Sequence, residues 1–118
     1  MKVIRIVLVD DDDLILTLLR NLLGREEDIE VVGEASSLEE AVALFRRLKE
    51  EGMDVDVAIV DGLEGDGENV ANQFKTIFPD GKDIAYSSNQ QEWGDENRIL
   101  KPESNSLPDA VRRQDSLP

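Results

Sequence analysis

The chain has 118 residues, 27 of them acidic and 13 basic, for a formal charge of -14, which argues against a basic surface for nucleic acid or anionic lipid. It contains no cysteine and no histidine, so disulfides and thiolate or imidazole metal sites are excluded and any metal must be held by oxygen ligands. That length suits one domain with a single core, little room for a separate output module, and a basic protein face or a cation as partner.

The amino-terminal run Val3 to Val9 is β-branched and aliphatic except at Arg5, and it stops at Asp10-Asp11-Asp12-Asp13. Such a run predicts a central strand covered on both faces, and the interruption and the acids are unlike a signal peptide or membrane span. A cytoplasmic location is expected. Leu14, Ile15, Leu18, Leu19, Leu22 and Leu23 then recur at helical spacing, with an aspartate available as the cap and Gly24 as the stop. Ile29 to Ala35 reads as a partly polar edge strand. Ser36 with Glu39, and Ser37 with Glu40, each fit a capping box, opening a helix whose buried stripe is Leu38, Ala41, Val42, Phe45 and Leu48 and which ends before Gly52.

Val55 to Val60 predicts a third strand that runs into Asp61 and the turn Gly62-Leu63-Glu64-Gly65-Asp66-Gly67. Val70, Phe74, Ile77 and Phe78 mark a third helix, stopped by Pro79 and Gly81. Ile84 to Ser88 reads as a fourth strand ending in hydroxyls, Asn89 to Asn97 as a polar loop, and Arg98 to Leu100 as a fifth strand leading into Lys101-Pro102. Glu103 to Pro118 is a short tail, partly disordered or with a brief helix from about Leu107 to Arg113. The expected division is a domain over 1–102 and this tail over 103–118.

Alternating strands and helices imply a parallel sheet with right-handed crossovers and helices on both faces, the doubly wound α/β class. In such sheets ligands bind beyond the carboxyl ends of the strands. Two strands deliver acids to that rim, Asp10 and Asp11 from the first and Asp61 from the third. Clustered carboxylates repel and raise one another's pKa, so a divalent cation (Mg²⁺, Mn²⁺ or Ca²⁺) is the economical partner. The plainer alternative takes the acids as a solvated cap favoured by the helix dipole, with Asp61 a turn residue.

Val9-Asp10-Asp11 before a leucine-rich helix, Ile59-Val60-Asp61, Tyr86-Ser87-Ser88 and Leu100-Lys101-Pro102 occur in that order. This set resembles the CheY-like receiver domain of bacterial response regulators in two-component signalling, over about Val3 to Pro102. The resemblance implies a five-stranded flavodoxin-like sheet of order 2-1-3-4-5. It makes Asp61 the phosphoacceptor, places Mg²⁺ on Asp11, Asp61 and the Leu63 carbonyl with Asp10 acting through a coordinated water, and has Ser87 and Lys101 contact the phosphoryl oxygens. It also implies a cis peptide before Pro102, a histidine kinase or phosphotransfer protein as donor, and a downstream protein as partner. There are departures from the family pattern. The loop after Asp61 lacks the usual proline, and only 14 positions separate Ser87 from Lys101. The missing length is roughly two helical turns, so the family's fourth helix is expected to be short or absent. Arg98 stands where a switching aromatic is usual. With that flank reduced, a homodimer covering it is one expectation. The competing functions are a receiver-shaped interaction module independent of phosphorylation, and a haloacid-dehalogenase-type phosphatase using Asp10 as nucleophile.

Overall fold

The computed structural model describes residues 2–61, 63–87, 98–100 and 107–117. Five parallel strands, β1 (Ile4–Val9), β2 (Ile29–Ala35), β3 (Val57–Val60), β4 (Lys82–Ser87) and β5 (Arg98–Leu100), form one sheet of order β2-β1-β3-β4-β5. The crossovers are α1 (Asp13–Gly24), α2 (Leu38–Glu50) and α3 (Gly67–Ile77), and α4 (Leu107–Asp115) follows β5. The expected α/β class and the central place of the first strand are both observed, with Ile29 to Ala35 at an edge. The fourth strand begins earlier than the hydropathy pattern suggested, at Lys82, and the third begins later, at Val57. The expected loop at 89–97, the reduced fourth helix and the Lys101-Pro102 peptide lie outside the described residues.

Burial explains why β1 is apolar except at Arg5. Ile4, Ile6 and Leu8 enter a core with Leu16, Leu19 and Leu23 of α1 and with Leu107, Ala110 and Val111 of α4. Val7 and Val9 point the other way, into a core with α2 and α3. Side chains alternate across a strand, so a strand with helices on both faces cannot afford polar residues on either. Arg5 lies outside this cover and is exposed, while its backbone N–H donates to Asp56 Oδ2 at 2.9 Å.

The helices correct several expectations. In α1 the residues on the sheet are Leu16, Leu19 and Leu23, with Ile15 and Leu22 partly buried, whereas Leu14 and Leu18 are 80% and 48% exposed. Leucine or isoleucine fills so many positions that hydropathy leaves the helix's rotation open. The phase follows from the cap: Asp12 is the N-cap, its side chain accepts from Leu14 N–H at 2.9 Å, and Leu14 and Leu18 fall opposite the buried stripe.

In α2 Leu44 is buried and Val42 only partly so. Its capping box is split between two serines: Ser37 Oγ accepts from Glu40 N–H at 3.2 Å, while Ser36 Oγ donates to Glu40 Oε2 at 2.7 Å. At its other end Met53 N–H reaches Leu48 O and Gly52 N–H reaches Lys49 O, both at 3.0 Å, with Gly52 at φ 79°. This Schellman closure needs a left-handed residue, which glycine supplies without strain.

The described part of the tail, residues 107–117, contains a helix despite its thin apolar content. Helix α4 runs to Asp115, two residues past the expected end, and Leu107 and Val111 are fully buried against β1, β3 and β4. Three apolar residues on one face suffice because that face meets the sheet directly. The helix is also pinned by charge. Arg112 donates from Nε and one Nη to the two carboxylate oxygens of Asp28, each at 2.9 Å, and contacts Glu26 and Asp109. The hydrogen bond from Arg112 holds the Asp28 carboxyl below its ordinary range, and the same acids raise the guanidinium pKa further.

Candidate functional site

The strand order reverses between β1 and β3: from β1 the chain crosses to β2 on one side, then returns to β3 on the other. That switch point opens a crevice at the carboxyl ends of the two strands. Asp10 directly follows β1 and Asp61 directly follows β3, and their backbones are fixed by continuing the ladder. Asp10 N–H donates to Ala35 O at 3.0 Å, and Asp61 N–H to Val9 O at 2.8 Å. The two acids thus emerge side by side.

Asp10 and Asp61 are buried, at 1% and 9% exposure, and Asp11 is exposed; one carboxylate oxygen from each lies within 4.8 Å of the others. Asp10 Oδ1 accepts from Asp12 N–H at 2.9 Å, so the start of α1 is tied to the floor of the site. Asp61 Oδ2 accepts from Leu63 N–H at 3.3 Å. Leu63 opens a single 3₁₀ turn, Leu63–Gly65, and its carbonyl accepts from Asp66 N–H at 3.2 Å, leaving a second lone pair on that oxygen.

The donor set fits a hard divalent cation. Ligands on opposite sides of Mg²⁺ are about 4.0–4.2 Å apart and those of Ca²⁺ about 4.6–5.2 Å, so three oxygens within 4.8 Å of one another already lie at the scale of such a coordination sphere. Three like charges drawn together, two of them buried, oppose one another unless a cation or cationic side chain is added. Oxygen is the only donor available, because the chain has neither cysteine nor histidine.

The structure therefore brings together Asp10, Asp11, Asp61 and the backbone of Leu63. Ser87 is the last residue of β4, and since Ala85 pairs with Val60 it stands at the same rim as Asp61, beside Leu100 of β5. Lys101 lies outside the described residues. Hydropathy did not single out the left-handed backbone of Leu63, at φ 49°, nor could it show which aspartate caps α1. The acids themselves were legible because they interrupt two apolar runs.

No family model matches the chain. Two curated relatives do: protein-glutamate methylesterase/protein-glutamine glutaminases of Methanospirillum hungatei and Methanococcoides burtonii, 39% and 42% identical over 62 residues, or 51% of this chain. The chain covers only 18% of the length of each. Among solved structures, the response regulator domain of Thermotoga maritima CheB is similar over 99% of both chains, with TM-score 0.80 and 22% identity. Salmonella typhimurium RcsB is similar over 96% of this chain and 61% of that one, with TM-score 0.71 and 25% identity. A chain of the CheX-CheY-BeF3-Mg complex of Borrelia burgdorferi is similar over 93% of this chain and 87% of that one, at TM-score 0.76 and 18% identity.

The fold and site define a flavodoxin-like α/β domain with an acidic pocket at its switch point. More narrowly, the chain has the fold of the CheY-like response-regulator receiver domains, the type of module used in two-component signalling.

Proposed function

We propose that the chain is a phosphoacceptor receiver in which Asp61 takes a phosphoryl group from a histidine kinase or phosphotransfer protein and passes the signal on through protein contacts. The observation that carries this is the convergence of Asp10, Asp11 and Asp61 at the switch point, two of them buried. An Asp61 carboxylate oxygen attacks phosphorus, an O–P bond forms as the P–N bond of the donor phosphohistidine breaks, and the electron pair stays on the imidazole nitrogen. The N–H of Leu63 orients Asp61 for this step. Asp11, Asp61 and the Leu63 carbonyl would hold Mg²⁺, with Asp10 behind them. The bound ion supplies neutralisation of charge on the phosphoryl oxygens.

Ser87 and Lys101 have the chemistry to hydrogen-bond and to pair with the remaining phosphoryl oxygens. The receiver unit in this reading is 1–102, and α4 from the following segment packs on one face of its sheet. A partner has an apolar foothold beside the acids, since Leu14 and Leu18 on the outer side of α1 are exposed. The flank beyond β5 is where a second copy would sit. Among the described residues no helix is long and apolar enough to cross a membrane; the role proposed here is a cytoplasmic one. The methylesterase activity named for the curated relatives is not carried over, because the chain covers so little of them; this is a stoichiometric acceptor rather than a turnover catalyst.

Beryllium trifluoride with Mg²⁺, the pair in the Borrelia complex, mimics an aspartyl phosphate and tests the site directly. Amide NMR shifts around Asp10, Asp61 and Ser87 should move on adding both reagents and stay still in Asp61→Asn. Movement that persists in the variant would contradict Asp61 as acceptor. Were the chain an interaction module independent of phosphorylation, Asp61→Asn would leave partner binding unchanged with and without the mimic.

A further inference from the structure

We infer that Leu63 is a positioning residue for the cation site, its core-buried side chain holding its own backbone in the left-handed conformation that brings its N–H to Asp61. The inference rests on reading Asp10, Asp11 and Asp61 as a divalent-cation site.

Among the described residues Leu63 is the one non-glycine with positive φ, at 49°. In that region Cβ crowds the residue's own carbonyl, and leucine has no side-chain polar group to compensate. Glycine is the ordinary occupant, and the loop is rich in it: Gly62, Gly65 and Gly67 all lie within four residues. Gly65 is itself left-handed, at φ 108°. A leucine at 63 is therefore not explained by the backbone, which would favour glycine there.

Its side chain explains it. Leu63 is 8% exposed and lies in the core formed with Val9, Val60, Val70 and Phe74, beneath the loop that leaves β3. Burial of the isobutyl group fixes the Cα, and the φ that follows directs the N–H back to Asp61 Oδ2 at 3.3 Å. Strain of this sort persists where surrounding packing over-determines it, and it gathers at functional sites. The same anchor sets where the Leu63 carbonyl points, at the head of the 3₁₀ turn.

Two roles for Leu63 make opposite predictions for Leu63→Gly. A residue that merely occupies a left-handed slot would be replaced by glycine at no loss to the site. An anchor would be lost, and the acids would bind a cation less well although the backbone strain is gone. Calorimetric titration of the full chain with Mg²⁺ decides, using wild type, Leu63→Gly, Leu63→Ala, Leu63→Met and Asp61→Asn, each shown to be folded by circular dichroism. Leu63→Gly is expected to weaken Mg²⁺ by about 10-fold or more, the scale of losing a group that orients a ligand. Leu63→Ala should weaken it less, and Leu63→Met, which refills the core, should restore affinity near wild type. Wild-type affinity in folded Leu63→Gly or Leu63→Ala overturns the inference and leaves the cation site standing. Absence of Mg²⁺ binding by wild type, or equal binding by Asp61→Asn, overturns the cation site and the inference with it. A purely structural role would lower the melting temperature of these variants while leaving the Mg²⁺ affinity of the folded protein unmoved, and that pattern also overturns it.

Discussion

Removing one acid from the site should stabilise the fold in the absence of a cation and abolish the gain that a cation brings. Asp11→Asn is the informative change, because Asp11 is exposed and its replacement disturbs no core packing. Its carboxylate lies within 4.8 Å of both Asp10 and Asp61. Each such pair costs about 0.9 kcal/mol in a water-like dielectric and about 3.5 kcal/mol at an effective dielectric of 20. The exposure of Asp11 puts it near the lower figure, so relief of two repulsions amounts to about 1–2 kcal/mol at low salt. For a domain of this size that is a rise in melting temperature of about 4–8 °C. Scanning calorimetry in EDTA at low ionic strength reads it, and 1 M salt, with a Debye length of about 3 Å, should remove most of the difference. With Mg²⁺ at ten times its dissociation constant, wild type should gain about 1.4 kcal/mol and the variant almost none. A variant less stable than wild type in EDTA, or an equal rise with Mg²⁺ in both, would show that the three acids do not form one electrostatic unit.

Helix α4 should behave as part of the core. Val111 is fully buried, so Val111→Ala should cost about 2 kcal/mol and lower the melting temperature by about 8 °C, measured by thermal circular dichroism; a melt unchanged from wild type would make α4 dispensable. Asp83 on β4 tests burial of charge: desolvation raises its carboxyl above the ordinary value of 3.8 even with Lys75 nearby. A raised folded pKa means that stability from this group is fully present below the unfolded value and is lost as pH rises through the folded value. Asp83→Asn should therefore melt higher than wild type at pH 7, with the gain vanishing below about pH 4; a constant offset across that range would contradict burial as the cause.

The parts of the molecule that were legible in the sequence are those where one physical demand acts alone. Val7 to Val9 and Val57 to Val60 are covered on both faces, so every position must be apolar, and the acids that end them stand out. The order of the strands came with the family resemblance and not from hydropathy. Where two demands compete, pattern was a poor guide. In α1, leucines serve both the core and the exposed side, so Leu14 and Leu18 looked buried until the Asp12 cap set the rotation. Leu44 was missed because Val42 offered an equally apolar alternative nearby.

In α4 hydropathy alone gives three apolar residues little weight, and what makes them sufficient is the sheet above them and the bridge from Arg112 to Asp28, which joins residues far apart in the chain. The left-handed turn at Leu63 is likewise invisible to propensity, which would have assigned it to a glycine. At the site, Asp10, Asp11 and Asp61 were identified from their strands alone. The contributions of Ser87 and Lys101 rest on the family pattern and on the rim where β4 and β5 end.

The most direct test of Asp61 as phosphoacceptor is intact mass of the folded chain before and after incubation with acetyl phosphate and Mg²⁺, beside Asp61→Asn. One added phosphoryl group, labile to base and absent from the variant, is the expected result. Folded wild-type protein that gains no mass, or a variant that gains as much, would contradict it.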